Sequence, residues 1–462
     1  MKPAKITWVL IFVGVFLLLS GMVIGKSFVG NSKNINYIKS GGNVMVHVKN
    51  QNHLSENDYF AEKDIGNLKG ILRTDKISYT VESNPLNSEV TYKNKSYKSK
   101  VVGVNYLFNG FYNVHLKSGS FFSGDSEETG SKVAVIENEA AWRMFNTDRV
   151  VGKSIDIYGS SFKIIGVMDE DTTIIKKLMY DDVPKVYIPA ATLLDIDKEA
   201  KIDLLLLEIG NTGLLEKNKN VVFEAIQAIG KNPSNYTITD LAMKSALMAQ
   251  RPLLIAFFVG IICIVVMLVY AGKQLISLIL MIQESCKKDY FIHVVRKGCL
   301  RIFGKIGRIA VAITAAVLIW SFVSFKIYIP PQLIPDELIN ISYFVEIIKE
   351  YIMNTNLDNG YKASFLEMEI NAVNMIISIS FYAAVVLGFL LLYIGFFQVR
   401  LYNADTTAVI LGCGLSVLIS LGLIAAMDKM MGYAPLFELN NIIVMWVFLS
   451  INSLLFTKIR AG

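Results

Sequence analysis

The sequence predicts an α-helical membrane bundle of six spans, with a large α+β extracytoplasmic domain between the first and second spans. Two observations predict this fold class. Six apolar runs each approach the roughly 20 residues that a helix needs to cross a bilayer. A polar block from Lys26 to Arg251 separates the first run from the other five. The runs are Ile6–Gly25, Leu253–Gly272, Ile309–Phe325, Met375–Phe397, Thr406–Met427 and Ile442–Thr457.

Positive charges predict which side of the membrane each segment faces. Two lysines and no acid precede the first span, and the link between the second and third spans is strongly basic. The fourth span ends at Arg400, and the chain ends with Lys458 and Arg460. If every run crosses once, these four places share one side, which the positive-inside rule assigns to the cytoplasm. The net charge of +6 then reflects topology, and no nucleic-acid partner is expected.

The first apolar run favours an uncleaved anchor over a cleaved signal peptide, because it is long and lacks a small-x-small cleavage site.

The four cysteines all lie outside the polar block, so its domain is expected to fold without disulfides. We expect no metal or redox centre.

Strand and turn signals alternate along the polar block, which predicts an α+β domain. Strands are predicted at Val44–Lys49, Ile77–Val81, Val101–Val104, Lys132–Ile136, Lys153–Tyr158, Ser161–Met168, Lys185–Ile188 and Asp203–Glu208. Helices are predicted at Asp58–Leu72, Glu137–Phe145 and Asn220–Ile229.

Four segments of the block resemble, in order, the MacB-type periplasmic core domain. They are Val101–Phe122 (VVGVNYLFNGFYNVHLKSGSFF), Val133–Phe145 (VAVIENEAAWRMF), Val151–Val167 (VGKSIDIYGSSFKIIGV) and Lys185–Leu193 (KVYIPAATL). The layout of one span, a domain and three further spans is similar to the MacB/FtsX-type ABC transporter permease. The resemblance covers about residues 1–407.

The resemblance implies a division of the chain into five parts. They are an N-terminal anchor (1–25), a MacB-like core domain (26–236), a stalk helix (237–251), an FtsX-like transmembrane domain (252–410) and an additional C-terminal hairpin (411–462). The transmembrane domain includes a cytoplasmic coupling helix and an external loop. The last two spans depart from the family, whose members usually end after the fourth.

The resemblance also implies candidate functional residues. In the family, a segment placed like Lys287–Arg308 docks on the ATPase, which makes Lys288, Asp289, Arg296, Lys297 and Arg301 candidates. A basic helix that anchors to lipid is the alternative.

The stalk and the external loop add two further expectations. Thr237–Gln250 is expected to be a helix that feeds the second span, and Asp240, Lys244 and Pro252 are its candidate residues. Whether the stalk transmits force or is a passive pedestal stays open. Phe344–Met353 has one apolar face and predicts an amphipathic helix in the external loop.

Catalytic motifs are not apparent in the sequence. Gly152-Lys153-Ser154 ends like a phosphate-binding loop but lacks the glycine required upstream, and no histidine accompanies a nucleophile motif. No acidic or histidine residue lies in the middle of a predicted span, which argues against an ion-coupled transporter. Energy is therefore expected from a separate cytoplasmic ATPase that binds ATP and Mg.

The resemblance implies a non-catalytic permease subunit in a bacterial cytoplasmic membrane. Its expected partners are the ATPase, a second copy or a related permease, and an extracytoplasmic substrate or effector. Peptides, drugs and lipoproteins are handled by such families, some of which confer resistance to antimicrobial peptides. A mechanotransmission protein that activates a cell-wall hydrolase remains the alternative, followed by a receptor without an ATPase.

Overall fold

The computed structural model divides the chain into two compact units. A helical unit comprises Met1–Phe28, Met248–Ile327 and Asn374–Gly462, and an α+β unit comprises Val29–Leu247 and Tyr328–Val373. The structure describes residues 5–31, 43–49, 58–74, 78–112, 114–169, 183–208, 215–287, 290–329, 349 and 364–457. Three of the four unit boundaries fall inside helices, after Phe28, Leu247 and Val373, whereas the fourth, after Ile327, does not.

Six helices in the described residues are long and apolar enough to cross a membrane, which confirms the predicted spans. The first three spans belong to α1 (Lys5–Asn31), α8 (Leu241–Cys286) and α9 (Phe291–Val323). The fourth consists of α10 (Phe365–Tyr382), a π-helical segment (Ala383–Gly388) and α11 (Phe389–Leu401). The last two are α12 (Thr406–Met430) and α13 (Leu439–Thr457). At 1.5 Å per residue, the 46 residues of α8 span about 69 Å and the 33 of α9 about 50 Å. Both exceed the roughly 30 Å hydrocarbon core, so each helix must continue beyond the bilayer.

Contacts inside the helical unit show that neighbouring spans alternate in direction. Near the start of α1, Thr7 donates to Gln398 at the end of α11, with 2.8 Å between their oxygens. Thr406, which begins α12, donates to Thr457 at the end of α13 at 2.9 Å. The first and fourth spans are therefore antiparallel, and so are the fifth and sixth. This arrangement agrees with the alternating directions that the charge distribution predicts.

The described residues of the α+β unit form eleven strands in one sheet. They are β1 (Asn43–Val48), β2 (Ser78–Ser83), β3 (Leu86–Tyr92), β4 (Lys95–Val104), β5 (Leu116–Gly119), β6 (Val133–Glu137), β7 (Ser154–Ile157), β8 (Ser160–Met168), β9 (Lys185–Pro189), β10 (Ile202–Glu208) and β11 (Tyr236–Asp240). The helices are α2 (Glu62–Thr74), α3 (Phe108–Phe111), α4 (Gly124–Glu128), α5 (Asn138–Phe145), α6 (Ala190–Ile196) and α7 (Leu215–Ala228).

Part of this sheet closes into a ring. The pairing order β4-β3-β7-β8-β6-β9 returns to β4 through a parallel β4–β9 ladder, which makes a six-stranded barrel. Strands β2, β10, β1 and β11 continue the sheet outward from β4, and β5 pairs with β8. The unit therefore has a barrel part and an extension part.

Each part has its own hydrophobic core. The barrel core includes Val101, Ile136 and Phe162, with Ala140 and Met144 of α5 packed against them. The extension core is formed by alternate side chains of its strands and by α2 and α7, and it includes Val44, Val46, Leu68, Leu205 and Ile226.

The tight turn between β7 and β8 follows from its sequence. Tyr158 and Gly159 both have positive φ, 49° and 74°, as a two-residue hairpin turn of the mirror-image type requires. Glycine adopts this conformation without a steric penalty, so the Gly159 hairpin predicted from the sequence is confirmed.

The start of the predicted stalk helix is wrong. Thr237–Asp240 are not helical but form most of β11, which pairs antiparallel with β1 through Val44↔Asp240 and Val46↔Ile238. Three successive β-branched residues, Thr237 to Thr239, favour a strand, and β1 supplies the partner that local helix signals cannot reveal. The helix begins at Leu241.

Candidate functional site

The last turns of α8 and the first turns of α9 form an antiparallel helical hairpin that extends beyond the predicted spans. The Lys305 ammonium of α9 donates to the Ser277 hydroxyl of α8 at 2.6 Å and to the Ser277 carbonyl at 3.1 Å. Further along, Gly260 of α8 lies so close to Val323 that an added Cβ would meet the valine side chain at 2.7 Å. These two contacts fix the register of the hairpin.

A groove runs between the two helices of the hairpin. It is lined by Lys273, Ile276, Ser277, Leu280, Met281, Glu284 and Lys305. Two large apolar side chains of this lining are solvent-exposed, Ile276 at 59 % and Leu280 at 54 %. The groove thus combines basic groups with exposed apolar groups, and exposed apolar patches rimmed by polar residues mark protein or membrane interaction sites.

Three of the candidate docking residues fall on α9. Arg296 and Lys297 belong to its first two turns, and Arg301 is exposed. Lys288 and Asp289 lie outside the described residues, as does the predicted amphipathic helix Phe344–Met353 apart from Lys349. The assignment of these residues to docking stays a prediction.

The candidate stalk residues lie at the start of α8. Asp240 ends β11, and its carboxylate accepts a hydrogen bond from the Met243 backbone amide at 2.8 Å, which caps the helix. Within the α+β unit, the Lys244 ammonium donates to the Asn371 side chain at 2.6 Å. Pro252 lies inside α8 without ending it, although a proline removes one helical hydrogen bond.

Arg251 is a stalk residue that the sequence analysis missed. Within the helical unit, its guanidinium donates to the Asn374 side chain at 2.6 Å and to the Ser378 hydroxyl at 2.7 Å, both on α10. The pair of bonds ties the base of the stalk to the fourth span. An arginine next to a predicted span end was the available signal, but its partners are more than a hundred residues away.

The loop between α12 and α13 contacts the end of α1. Glu438 forms an ion pair with Lys26, and the Ser27 hydroxyl accepts a hydrogen bond from the Leu436 amide at 3.0 Å. The rings of Phe28 and Tyr433 lie 4.4 Å apart between centroids.

The other end of the C-terminal hairpin also contacts α1. Gly412 of α12 lies against the Trp8 ring, where an added Cβ would come within 2.2 Å of it. The additional hairpin is therefore packed on the first span at both of its ends, within the helical unit.

A polar joint connects the barrel and the extension of the α+β unit. Strands β2 and β4 pair there through Glu82↔Val104. Three side-chain hydrogen bonds cross the same joint, from Tyr112 to Glu82 at 2.9 Å, from Thr80 to Asn105 at 2.6 Å and from the Gly103 amide to Ser83 at 2.7 Å.

Burial shapes the electrostatics of this joint. It raises the pKa of the Glu82 carboxyl above its ordinary value, an effect that the positive charge of Lys185 opposes. Burial likewise raises the pKa of the Tyr112 hydroxyl, with a further contribution from the adjacent Glu82 charge. Both groups favour their neutral forms more than they would in water.

Comparisons with known proteins identify the domain that the polar block forms. Residues 6–214 match the model of the MacB-like periplasmic core domain. The chain carries a MacB-like periplasmic core domain. Two curated relatives with ABC transporter permease names are similar to part of this chain.

These relatives share one region with the chain. The uncharacterized ABC transporter permease YknZ of Bacillus subtilis is 28 % identical over 163 residues, which are 35 % of this chain and 38 % of YknZ. The macrolide export ATP-binding/permease protein MacB of Campylobacter jejuni is 21 % identical over 165 residues, 35 % of this chain and 25 % of MacB. The matches thus span well under half of either relative.

Solved structures of similar domains are also known. The periplasmic region of MacB from Actinobacillus actinomycetemcomitans is 18 % identical, with a TM-score of 0.36 over 45 % of this chain and 92 % of that one. The extracellular domain of the transporter YknZ from Gram-positive bacteria is 16 % identical, with a TM-score of 0.35 over 43 % of this chain and 99 % of that one.

Proposed function

We propose that this chain is the permease subunit of a MacB/FtsX-type ABC system in a bacterial cytoplasmic membrane. A separate cytoplasmic ATPase would bind ATP and Mg, and its cycle would move the MacB-like domain outside the membrane. The substrate would be a peptide, a drug or a lipoprotein-like molecule, handled on the outer side.

The continuity of α8 is the observation that supports this proposal most. One uninterrupted helix begins directly after β11, contains the second span and ends in the basic hairpin. The helix continues through Pro252, where one backbone hydrogen bond is missing, so a single chain of helical turns joins the hairpin to β11. Force applied to the hairpin by a cytoplasmic partner would therefore reach the sheet of the α+β unit.

The geometry around Lys153 supports placing ATP on a separate chain. Gly152 forms a turn with φ of 91°, and the Lys153 ammonium lies 4.8 Å from the centroid of the Phe145 ring. Lys153 thus makes a cation–π contact on the barrel surface. A phosphate-binding loop would instead need a run of backbone amides leading into a helix, whereas Ser154 begins strand β7.

We expect the purified chain alone to hydrolyse no ATP above a detergent blank, because Lys153 belongs to a hairpin and not to a phosphate cradle. The measurement is phosphate release with the parent chain and with Lys153→Ala. Turnover in the parent that the substitution abolishes would overturn the proposed separation of permease and ATPase.

A further inference from the structure

We propose that the membrane-proximal end of the groove between α8 and α9 binds an anionic phospholipid. Lys273 and Lys305 would hold the headgroup phosphate, with the Ser277 hydroxyl beside them. This site is distinct from the proposed docking of the ATPase on the first turns of α9.

The positions of the two lysines place them at headgroup level. Lys273 directly follows Gly272, the last residue of the second predicted span, and Lys305 stands four residues before Ile309, the first residue of the third. Both line the same groove, and the hydrogen bonds from Lys305 to Ser277 hold their helices side by side. Basic pockets between spans on the cytoplasmic side are suited to anionic headgroups.

Two further basic residues of α9 have the same helical spacing as Lys305, and the acidic residue of the groove lies away from Lys273. Arg301, Lys305 and Arg308 recur at intervals of four and three residues and so share one face of α9. Glu284 is the acidic residue of the lining, and it would repel a phosphate. It is eleven residues beyond Lys273 on α8, about 16 Å along the helix axis, so the phosphate would lie away from it.

Apolar side chains on α8 offer a surface for the acyl chains. Val265 and Val269, which are 52 % and 53 % exposed, lie on the membrane side of Lys273 at helical spacing of four residues. An acyl chain that extends from a phosphate at Lys273 toward the bilayer centre would run along these two side chains. The required combination is therefore present: cations at the interface and an exposed apolar strip directly above them.

The test measures lipid retention by the full chain without any ATPase. The chain is reconstituted in phosphatidylcholine nanodiscs with and without phosphatidylglycerol, and bound lipid is counted by native mass spectrometry after detergent extraction. We expect the parent to retain phosphatidylglycerol. Lys273→Ala should weaken this retention about five-fold, and the second substitution in Lys273→Ala/Lys305→Ala should weaken it about five-fold again. Lys273→Arg/Lys305→Arg should keep it, since the charges remain.

The controls separate this site from general attraction and from folding defects. Lys287→Ala removes an exposed lysine of the same hairpin that does not line the groove, and it should retain lipid like the parent. Lys273→Ala keeps the Lys305–Ser277 bonds, so its loss of lipid cannot come from loss of the hairpin. Free inorganic phosphate should not displace the lipid. Equal retention of phosphatidylcholine, or equal loss in Lys287→Ala, would overturn the proposal, whether or not an ATPase partner exists.

Discussion

A cysteine placed at Ser126 is expected to react nearly completely with a membrane-impermeant maleimide on intact cells whose wall the reagent can pass. Ser126 belongs to α4 on the MacB-like domain, and the charge distribution places that domain outside. The measurement is the fraction of chain labelled before and after permeabilisation.

The chain supplies its own control for this experiment. Cys286 and Cys299 are exposed on the α8–α9 hairpin, whereas Cys263 and Cys413 are buried in helices of the helical unit. The parent chain should therefore label only after permeabilisation, through the two hairpin cysteines. Labelling of Cys286 on intact cells, with protection of the cysteine at position 126, would reverse the topology.

Replacement of Gly14 by leucine is expected to destabilise the helical unit by about 3 kcal/mol, the upper end of the usual cost of overpacking. A Cβ at Gly14 would lie 2.7 Å from the Leu392 side chain and 3.0 Å from two backbone atoms, the Gly388 carbonyl oxygen and the Leu392 nitrogen. Backbone cannot swing aside as a side chain can, so α1 and the fourth span must separate. The measurement is the midpoint of thermal unfolding in mild detergent.

Gly422 provides the matched control for this substitution. It lies on α12, and an added Cβ there would meet nothing within 4 Å. Gly422→Leu should leave the unfolding midpoint close to that of the parent, because the new side chain extends into open space. Equal midpoints for Gly14→Leu and Gly422→Leu would show that the close packing of α1 is not required for stability.

The spans could be predicted from the sequence because each is a continuous apolar run, and the strands because their β-branched residues alternate. Strand β3 was missed since Leu86–Tyr92 is mostly polar and half-exposed, with Val90 as its fully buried residue. The error at Thr237–Asp240 has a related cause. A strand is stabilised by its partner, and β1 lies almost two hundred residues earlier in the chain.

The candidate site was predictable only in part. The excess of basic residues marked the hairpin, but the pairing of Lys305 with Ser277 depends on the register of two helices. The same holds for Arg251 with Ser378 and for Lys26 with Glu438, which join segments that are distant in sequence. Charge and hydropathy locate such a surface, whereas its partners are set by tertiary packing.

Affinity purification in mild detergent tests whether a cytoplasmic ATPase couples to this chain through the basic hairpin. The parent chain should co-purify with a cytoplasmic ATP-binding cassette ATPase, and the bound ATPase should turn over faster than when free. Arg296→Glu/Lys297→Glu should lose most of this partner, because reversed charges oppose the orientation of the complex. Lys153→Ala, on the other side of the predicted membrane, should retain it. Loss of the partner from the double variant alone would support coupling through the hairpin. Equal retention of an ATPase by all three chains, or no ATPase with the parent, would contradict it.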